Sequence, residues 1–323
     1  MIAPTRAEEL AVLRSVIYAS LFDYPLTLDQ LAASLGVRAG ADTIAAWWRA
    51  SELLQSAIGH RDGWYFPAGR YDLIETRARR ESLSRELLDR DRHILATVSK
   101  MPFVRMVALS GSLAHLNAEG SADLDLFVIT APNRVWSVTV ALLVISRLLG
   151  WRKRLCLNYV VSESAMAISP RDLFSANQII HLRPIVGHRV FERFVKANAF
   201  VRDFYPNFDV GSQLSANSSR PARWHRVLER ALDIVVAPAM ERMSRVLYGW
   251  HLRRRAAQWR SRDQVRLEPQ CLKLHTSSHR ASTLARFDDA MTKAATRITF
   301  TAGWCSSSPD PCPRRDHSSS SAR

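Results

Sequence analysis

Lysine is scarce in this chain: 5 Lys stand beside 40 Arg in 323 residues. GC-rich codon usage alone produces such a skew. The formal net charge of +15 is therefore a weaker sign of nucleic-acid binding than its size suggests. Glycine is also sparse, at 12 residues, which argues against propellers and solenoids of Gly-punctuated strands. The four cysteines, Cys156, Cys271, Cys305 and Cys312, show neither CxxC nor Cys/His metal spacing, and a disulfide framework does not suit a chain of this size. The opening MIAPTRAEEL has no apolar signal core, so a cytoplasmic protein is expected. The longest apolar stretch, 135–149, is interrupted by Ser137, Thr139, Ser146 and Arg147. It reads as a buried helix and not as a bilayer span, and no membrane partner is expected. What the chain does have is 47% hydrophobic and 9% aromatic residues, enough for a sizeable core. A wholly disordered or fibrous protein is excluded, and the length allows two domains or three.

Charge is unevenly spread. Residues 1–69 carry 5 basic and 7 acidic groups, net −2, whereas 216–300 carry 17 and 7, net +10. Helical spacing over 8–20, a second helix at 28–35 and a third at 42–54 precede a hairpin around Asp62–Gly63. Three short helices and a hairpin resemble a winged helix-turn-helix, giving a first unit at 1–69. Its third helix offers only Arg49 against Asp42 and Glu52, so packing or partner docking is favoured over reading DNA. Residues 70–100 predict one charged linking helix with a solvated face. From 101 to 211 a strand–turn–strand–helix–strand order is expected, then helical pieces over 170–200. A linker at 212–221 leads to a basic helical region, 222–300, and a low-complexity disordered tail, 301–323. The cluster Arg253–Arg255 with Arg260, Arg262 and Arg266 makes 222–266 the candidate nucleic-acid face. Trp224, Trp250 and Trp259 are candidates for base stacking or for the core.

The informative segment is VALSGSLAHLNAEGSADLDLFVIT. An apolar strand ends at Ser110-Gly111-Ser112, and ten residues later Asp123-Leu124-Asp125 opens a second apolar strand. Residues i and i+2 of a strand share a face, so Asp123 and Asp125 present two carboxylates side by side while Leu124 points to a packed layer. Two adjacent carboxylates repel, and such pairs commonly meet a divalent cation. Hard oxygen ligands suit Mg²⁺, with Mn²⁺ as the alternative. Gly111 allows a close backbone approach to a ligand. If 112–118 opens as a helix, its free N–H groups hold phosphate and the Ser112 hydroxyl adds a donor.

This strand–Gly-Ser–x10–Asp-Leu-Asp–strand pattern resembles the signature of the DNA polymerase beta-like nucleotidyltransferase superfamily, well matched over 104–162. The FDYPLT unit ahead of it resembles a group of bacterial proteins with the same arrangement. The resemblance implies an α+β fold: a mixed-sheet, palm-like nucleotidyltransferase domain preceded by a winged-helix unit and followed by a helical region. It implies Mg²⁺-dependent transfer of a nucleoside monophosphate from an NTP to an unidentified acceptor. Gly111 and Ser112 match the phosphate-binding motif, and Asp123 and Asp125 match the metal ligands. The superfamily's third carboxylate is missing where expected: Asn158 stands there in RLCLNYVVSE. Asn158 and Glu163 are the candidate third ligands. The alternative is a catalytically weak or inactive fold acting as a nucleotide-binding or regulatory module.

Overall fold

A capping box starts the first helix, α1 (Arg6–Ser20): the Thr5 hydroxyl accepts from Glu8 N, and the Glu8 carboxylate accepts the Thr5 N–H at 2.6 Å. Thr27 and Gln30 repeat the device at α2 (Leu28–Ala33), directly after β1 (Leu26–Thr27). The expected helix 42–54 is instead α3 (Ala41–Ala50) and α4 (Glu52–Ala57). Extended backbone at Ser51 breaks it there, and the Ser51 hydroxyl caps α4. Strands β2 (Ile58–Arg61) and β3 (Trp64–Pro67) pair antiparallel, and β1 joins them in the order β1-β3-β2. Asp62 and Gly63 turn the hairpin at φ 52° and 80°, the two left-handed positions of a type I′ turn.

The linking segment is also two helices, α5 (Asp72–Arg90) and α6 (Arg92–Ser99). Asp91 interrupts it, buried and paired with Arg90 at 2.6 Å and Arg154 at 2.7 Å. The central unit follows as β4 (Val104–Leu109), α7 (Gly111–Ala114), β5 (Leu124–Thr130), α8 (Val135–Leu148) and β6 (Leu155–Ser162). β4 and β5 are antiparallel, and α8 makes the crossover that sets β6 parallel to β5. The stretch expected to be helical over 170–200 holds α9 (Leu173–Ile180), β7 (Arg183–Val186) and α10 (His188–Ala197), with α11 (Val201–Phe204) after it. β7 pairs with β4.

The basic region is likewise not wholly helical. Between α12 (Ala237–Arg254) and α13 (Arg280–Ser307) lies a hairpin of β8 (Val265–Glu268) and β9 (Cys271–Leu274), and β9 pairs with β6. The sheet thus has six strands in the order β7-β4-β5-β6-β9-β8, and residues far beyond 211 complete it. Short apolar runs inside Arg-rich sequence do not reveal their period, which is why β8 and β9 read as helix. α13 runs to Ser307, past the position where a disordered tail was expected to begin. The computed structural model describes residues 3–120, 122–213, 229–233, 237–259, 261, 265–274 and 279–307. Most of the expected linker, residues 222–228 with Trp224, Arg260, Arg262 and the tail from 308 lie outside the described residues.

The protein is therefore α+β, with one mixed and one antiparallel sheet. The mixed sheet is buried on both faces. Val107, Leu124, Leu126 and Val128 face one apolar cluster with α8, and Met106, Phe127, Ile129 and Val161 face another with α9 and α10. No helix among the described residues is long and apolar enough to cross a membrane.

α12 secures α8 from outside the central unit. Glu241 accepts hydrogen bonds from Trp136 N at 3.0 Å, Ser137 N at 2.8 Å and the Ser137 hydroxyl at 2.6 Å. A carboxylate thus caps the first turn of α8, where free N–H groups and the helix dipole favour an anion. Glu241 is buried, so its loss would strand donors away from water. Glu241→Ala is expected to destabilise the protein by about 3 kcal/mol in urea unfolding, and Glu241→Gln by less. Equal stability of all three proteins would show that this contact does not hold α8.

Candidate active site

Both aspartates stand where β5 begins. Asp123 immediately precedes the strand, and Asp125 is its second residue, paired in register with Cys156 of β6. Carboxylate oxygens of Asp123 and Asp125 and the sulfur of Cys156 all lie within 4.8 Å of one another. Leu124, fully buried, points to the opposite face as the strand alternation requires.

Gly111 packs against this pair. Its φ is +65°, and a Cβ built there would collide with the Asp125 carboxylate, lying 3.0 Å from Cγ and 3.2 Å from Cβ. Glycine is required on both counts, conformation and space. Ser110 fixes the approach: its N–H and its hydroxyl both donate to Asp125 O, at 2.8 and 3.2 Å. The helix expected over 112–118 is the single turn α7. Asn117 N bonds back to Ser112 O at 2.9 Å, and Leu116 turns left-handed at φ 53°. The loop therefore offers a few N–H groups and the half-buried Ser112 hydroxyl, not the dipole of a long helix.

Asn158 reaches the site through a β-bulge. Leu126 pairs with Leu157 but Phe127 pairs with Tyr159, so Asn158 is the extra residue on β6. Its Nδ2 donates to Asp125 Oδ1, and its Oδ1 accepts from the Cys156 thiol at 3.0 Å. Both ends of the amide are engaged, and through Nδ2 Asn158 orients Asp125. Glu163 is not brought to the site. It follows the far end of β6, where its N–H bonds Thr130 O at 2.9 Å and its carboxylate pairs with Arg193 at 3.1 Å. At a strand rise of 3.3 Å per residue, that is roughly 20 Å from Cys156.

Asp125 lines a cavity of about 870 Å³ together with Tyr24, Gly111, Asn158, His181 and Lys273 among others. The N-terminal unit closes one wall. The Tyr24 hydroxyl donates to His115 O at 3.1 Å, the Arg77 guanidinium lies 3.8 Å over the Tyr24 ring, and Arg80 pairs with Glu119. Asn117 Nδ2 donates to Phe22 O at 2.8 Å, so the FDYP corner and the Gly-Ser loop are hydrogen-bonded together. His115 and His181 stack at 4.2 Å, and the His181 Nδ1–H meets Asn177 O at 2.8 Å. Burial holds His115 well below its usual pKa and brings His181 down to about 4, so both rings are neutral. Lys273, on β9, is buried in the same wall, and burial lowers its ammonium pKa.

Four residues of this site, Cys156, Lys273, His115 and His181, are not singled out as site residues by the sequence. Cys156 shares the Cys-x-Asn spacing with Asn158, which a strand reading could have used. Lys273 was hidden by the helical reading of its region. His115 and His181 meet only through the fold. Comparison of the chain with protein-family models, with curated proteins and with solved structures finds no match.

The site is electrostatically loaded. Burial first, and then the charge of Asp123, push the Asp125 carboxyl from its usual 3.8 up to about 6, against the opposing bonds from Asn158 and Cys156. Burial and the two aspartates push the Cys156 thiol up to about 12, so it stays protonated. An acid whose pKa is higher folded than unfolded binds more protons when folded. Its stabilising effect is present below pH 3.8 and is lost as pH rises through 6. In EDTA at pH 8, Asp125→Asn is expected to be more stable than wild type by on the order of 2 kcal/mol. The difference should shrink towards zero near pH 4 in chemical unfolding. A pH-independent difference would show that Asp125 does not carry this strain.

Proposed function

We propose that the chain is a nucleotidyltransferase of the polymerase beta-like type, transferring a nucleoside monophosphate from an NTP to a hydroxyl-bearing acceptor in the cytoplasm. The observation that carries this is the pairing of Asp123 with Asp125, which packs against Gly111 and with it lines a large cavity. The central β–turn–β–α–β unit is then its palm-like core. The N-terminal unit, α1–α4 with the sheet β1-β3-β2, is read as a winged helix whose task is to wall the cavity, in keeping with its net charge of −2.

The donor set fits a hard divalent cation, Mg²⁺ or Mn²⁺. Two carboxylates converge, and Asp125 is raised by burial and then by a neighbouring negative charge, both of which a cation would offset. Asp123 and Asp125 would hold it; the protonated Cys156 would not join them. When bound, the cation supplies positive charge to the triphosphate and the departing pyrophosphate. The chain's own residues then do the following. The Ser112 hydroxyl and the N–H groups of the Gly-Ser loop take phosphate oxygens. Asn158 keeps Asp125 turned towards Gly111. The closed wall from Tyr24 to His115 excludes water from the reacting phosphate.

One observation favours a second reading, a nucleotide-binding module with weak or no chemistry. The position expected to carry the third carboxylate holds Asn158, with both amide ends engaged, and Glu163 faces away. Titration calorimetry of NTP with Mg²⁺ is expected to lose most of its heat in Asp123→Ala; unchanged binding would remove the site assignment. Asn158→Asp separates the two readings. A new carboxylate beside Asp125 supplies a proton acceptor for the incoming hydroxyl, a group typically worth 10²–10⁴-fold in rate. With labelled NTP and cell lysate, a transferase should show a modified species that increases in this variant. Binding without any labelled product, in either protein, selects the module.

A further inference from the structure

α8 and α12 lie side by side with their inner faces spent on the fold. The Trp136 ring packs 3.4 Å from where a Cβ would stand at Gly249, and Glu241 caps α8. Their outer faces are of a different kind. Met243, Leu247 and Trp250 recur at i, i+4 and i+7 on α12 and are 54%, 61% and 53% exposed. Leu148 and Leu149, at the end of α8, are 78% and 52% exposed. Leu252 and Tyr248 of α12 pack in one apolar cluster with Leu142, Leu143 and Trp151, which brings the end of α8 and the end of α12 to the same core. Exposed large apolar groups gathered in this way mark an interaction surface.

The exposed charges carried by these two helices have one sign. From 134 to 155 the chain contains no Asp or Glu, and from 237 to 261 only Glu241, which is buried and turned inward. Exposed Arg147, Arg152, Arg242, Arg245 and Arg254 have no acidic partner among the described residues. The Arg254 guanidinium lies 3.8 Å over the Trp250 ring, giving the stripe an amphipathic end.

We infer that this outer face of α8 and α12 docks on an anionic lipid surface. A bilayer interface uses both components: acyl chains accept Leu247, Met243 and Trp250, and acidic headgroups accept the arginines. A nucleic acid would satisfy the arginines but leave the aliphatic stripe in water. A second copy would cover the stripe only by setting the same cations against each other across a two-fold axis. The helix lies on the membrane in this arrangement and does not enter as a span. The inference is independent of the nucleotidyl-transfer reading.

The test is co-sedimentation of the full chain with vesicles of phosphatidylcholine alone and of phosphatidylcholine with an equal part of phosphatidylserine. Binding is expected only to the mixed vesicles and to weaken with added salt. Leu247→Glu with Trp250→Glu should abolish it. Arg242→Gln and Arg245→Gln, which leave the apolar packing untouched, should lower partitioning roughly five-fold per cation removed. A circular-dichroism melt that matches wild type shows that each variant is folded. Three results would overturn the inference: equal or absent binding to the two vesicles, a wild-type dimer by light scattering that Leu247→Glu dissociates, or RNA binding that the same substitution removes.

Discussion

The central sheet is covered on both faces, and this constraint governs where chemistry can sit. A strand enclosed by two apolar layers has no place for a charge in its middle, because desolvating an unpaired carboxylate costs far more than one contact returns. β4 and β5 accordingly run apolar almost throughout, with Met106, Val107, Ala108, Leu126, Phe127, Val128 and Ile129 nearly all inaccessible. In these two strands the polar groups sit at the ends. Asp125, the second residue of β5, is as deep as a carboxylate goes here, and its raised pKa records the strain of holding it there.

Around that carboxylate the molecule assembles contributions from regions far apart in the chain. Gly111 gives it space, the bulged Asn158 gives it a donor, and Lys273 arrives from a strand near the C-terminus. The far wall is of opposite character. His115 and His181 are buried and neutral, and Tyr24 is held by its hydroxyl and by Arg77. One end of the cavity is thus acidic and able to accept a cation, and the other sets neutral histidines beside the paired charges of Arg80 and Glu119. The N-terminal unit supplies part of that wall through the FDYP corner, so it belongs to the site and is not an appended module.

The basic C-terminal third divides its work between inside and outside. Its hairpin extends the sheet, and α12 spends its one acid, Glu241, on capping α8. Spending that acid inward is what leaves the outer surface of the two helices without negative charge.

Local pattern determined a good deal on its own. The Asp62–Gly63 turn and the alternation through Asp123, Leu124 and Asp125 depend on neighbours a few residues away, and each stands in the structure as the sequence predicts. Helix breaks at Ser51 and Asp91 were not legible, because what breaks them is a cap and two arginines met only on folding. Neither were β7, β8 and β9: four-residue strands show no period of their own and exist because a partner edge completes their hydrogen bonds. The fate of the third-carboxylate position lay beyond sequence for the same reason. By sequence, Asn158 stands at the expected position and Glu163 is the nearest acid at the strand's end, and both are candidates. Only the bulge, which turns Asn158 towards Asp125, and the strand's length, which carries Glu163 away to Arg193, decided between a residue at the site and one at the opposite end of the sheet.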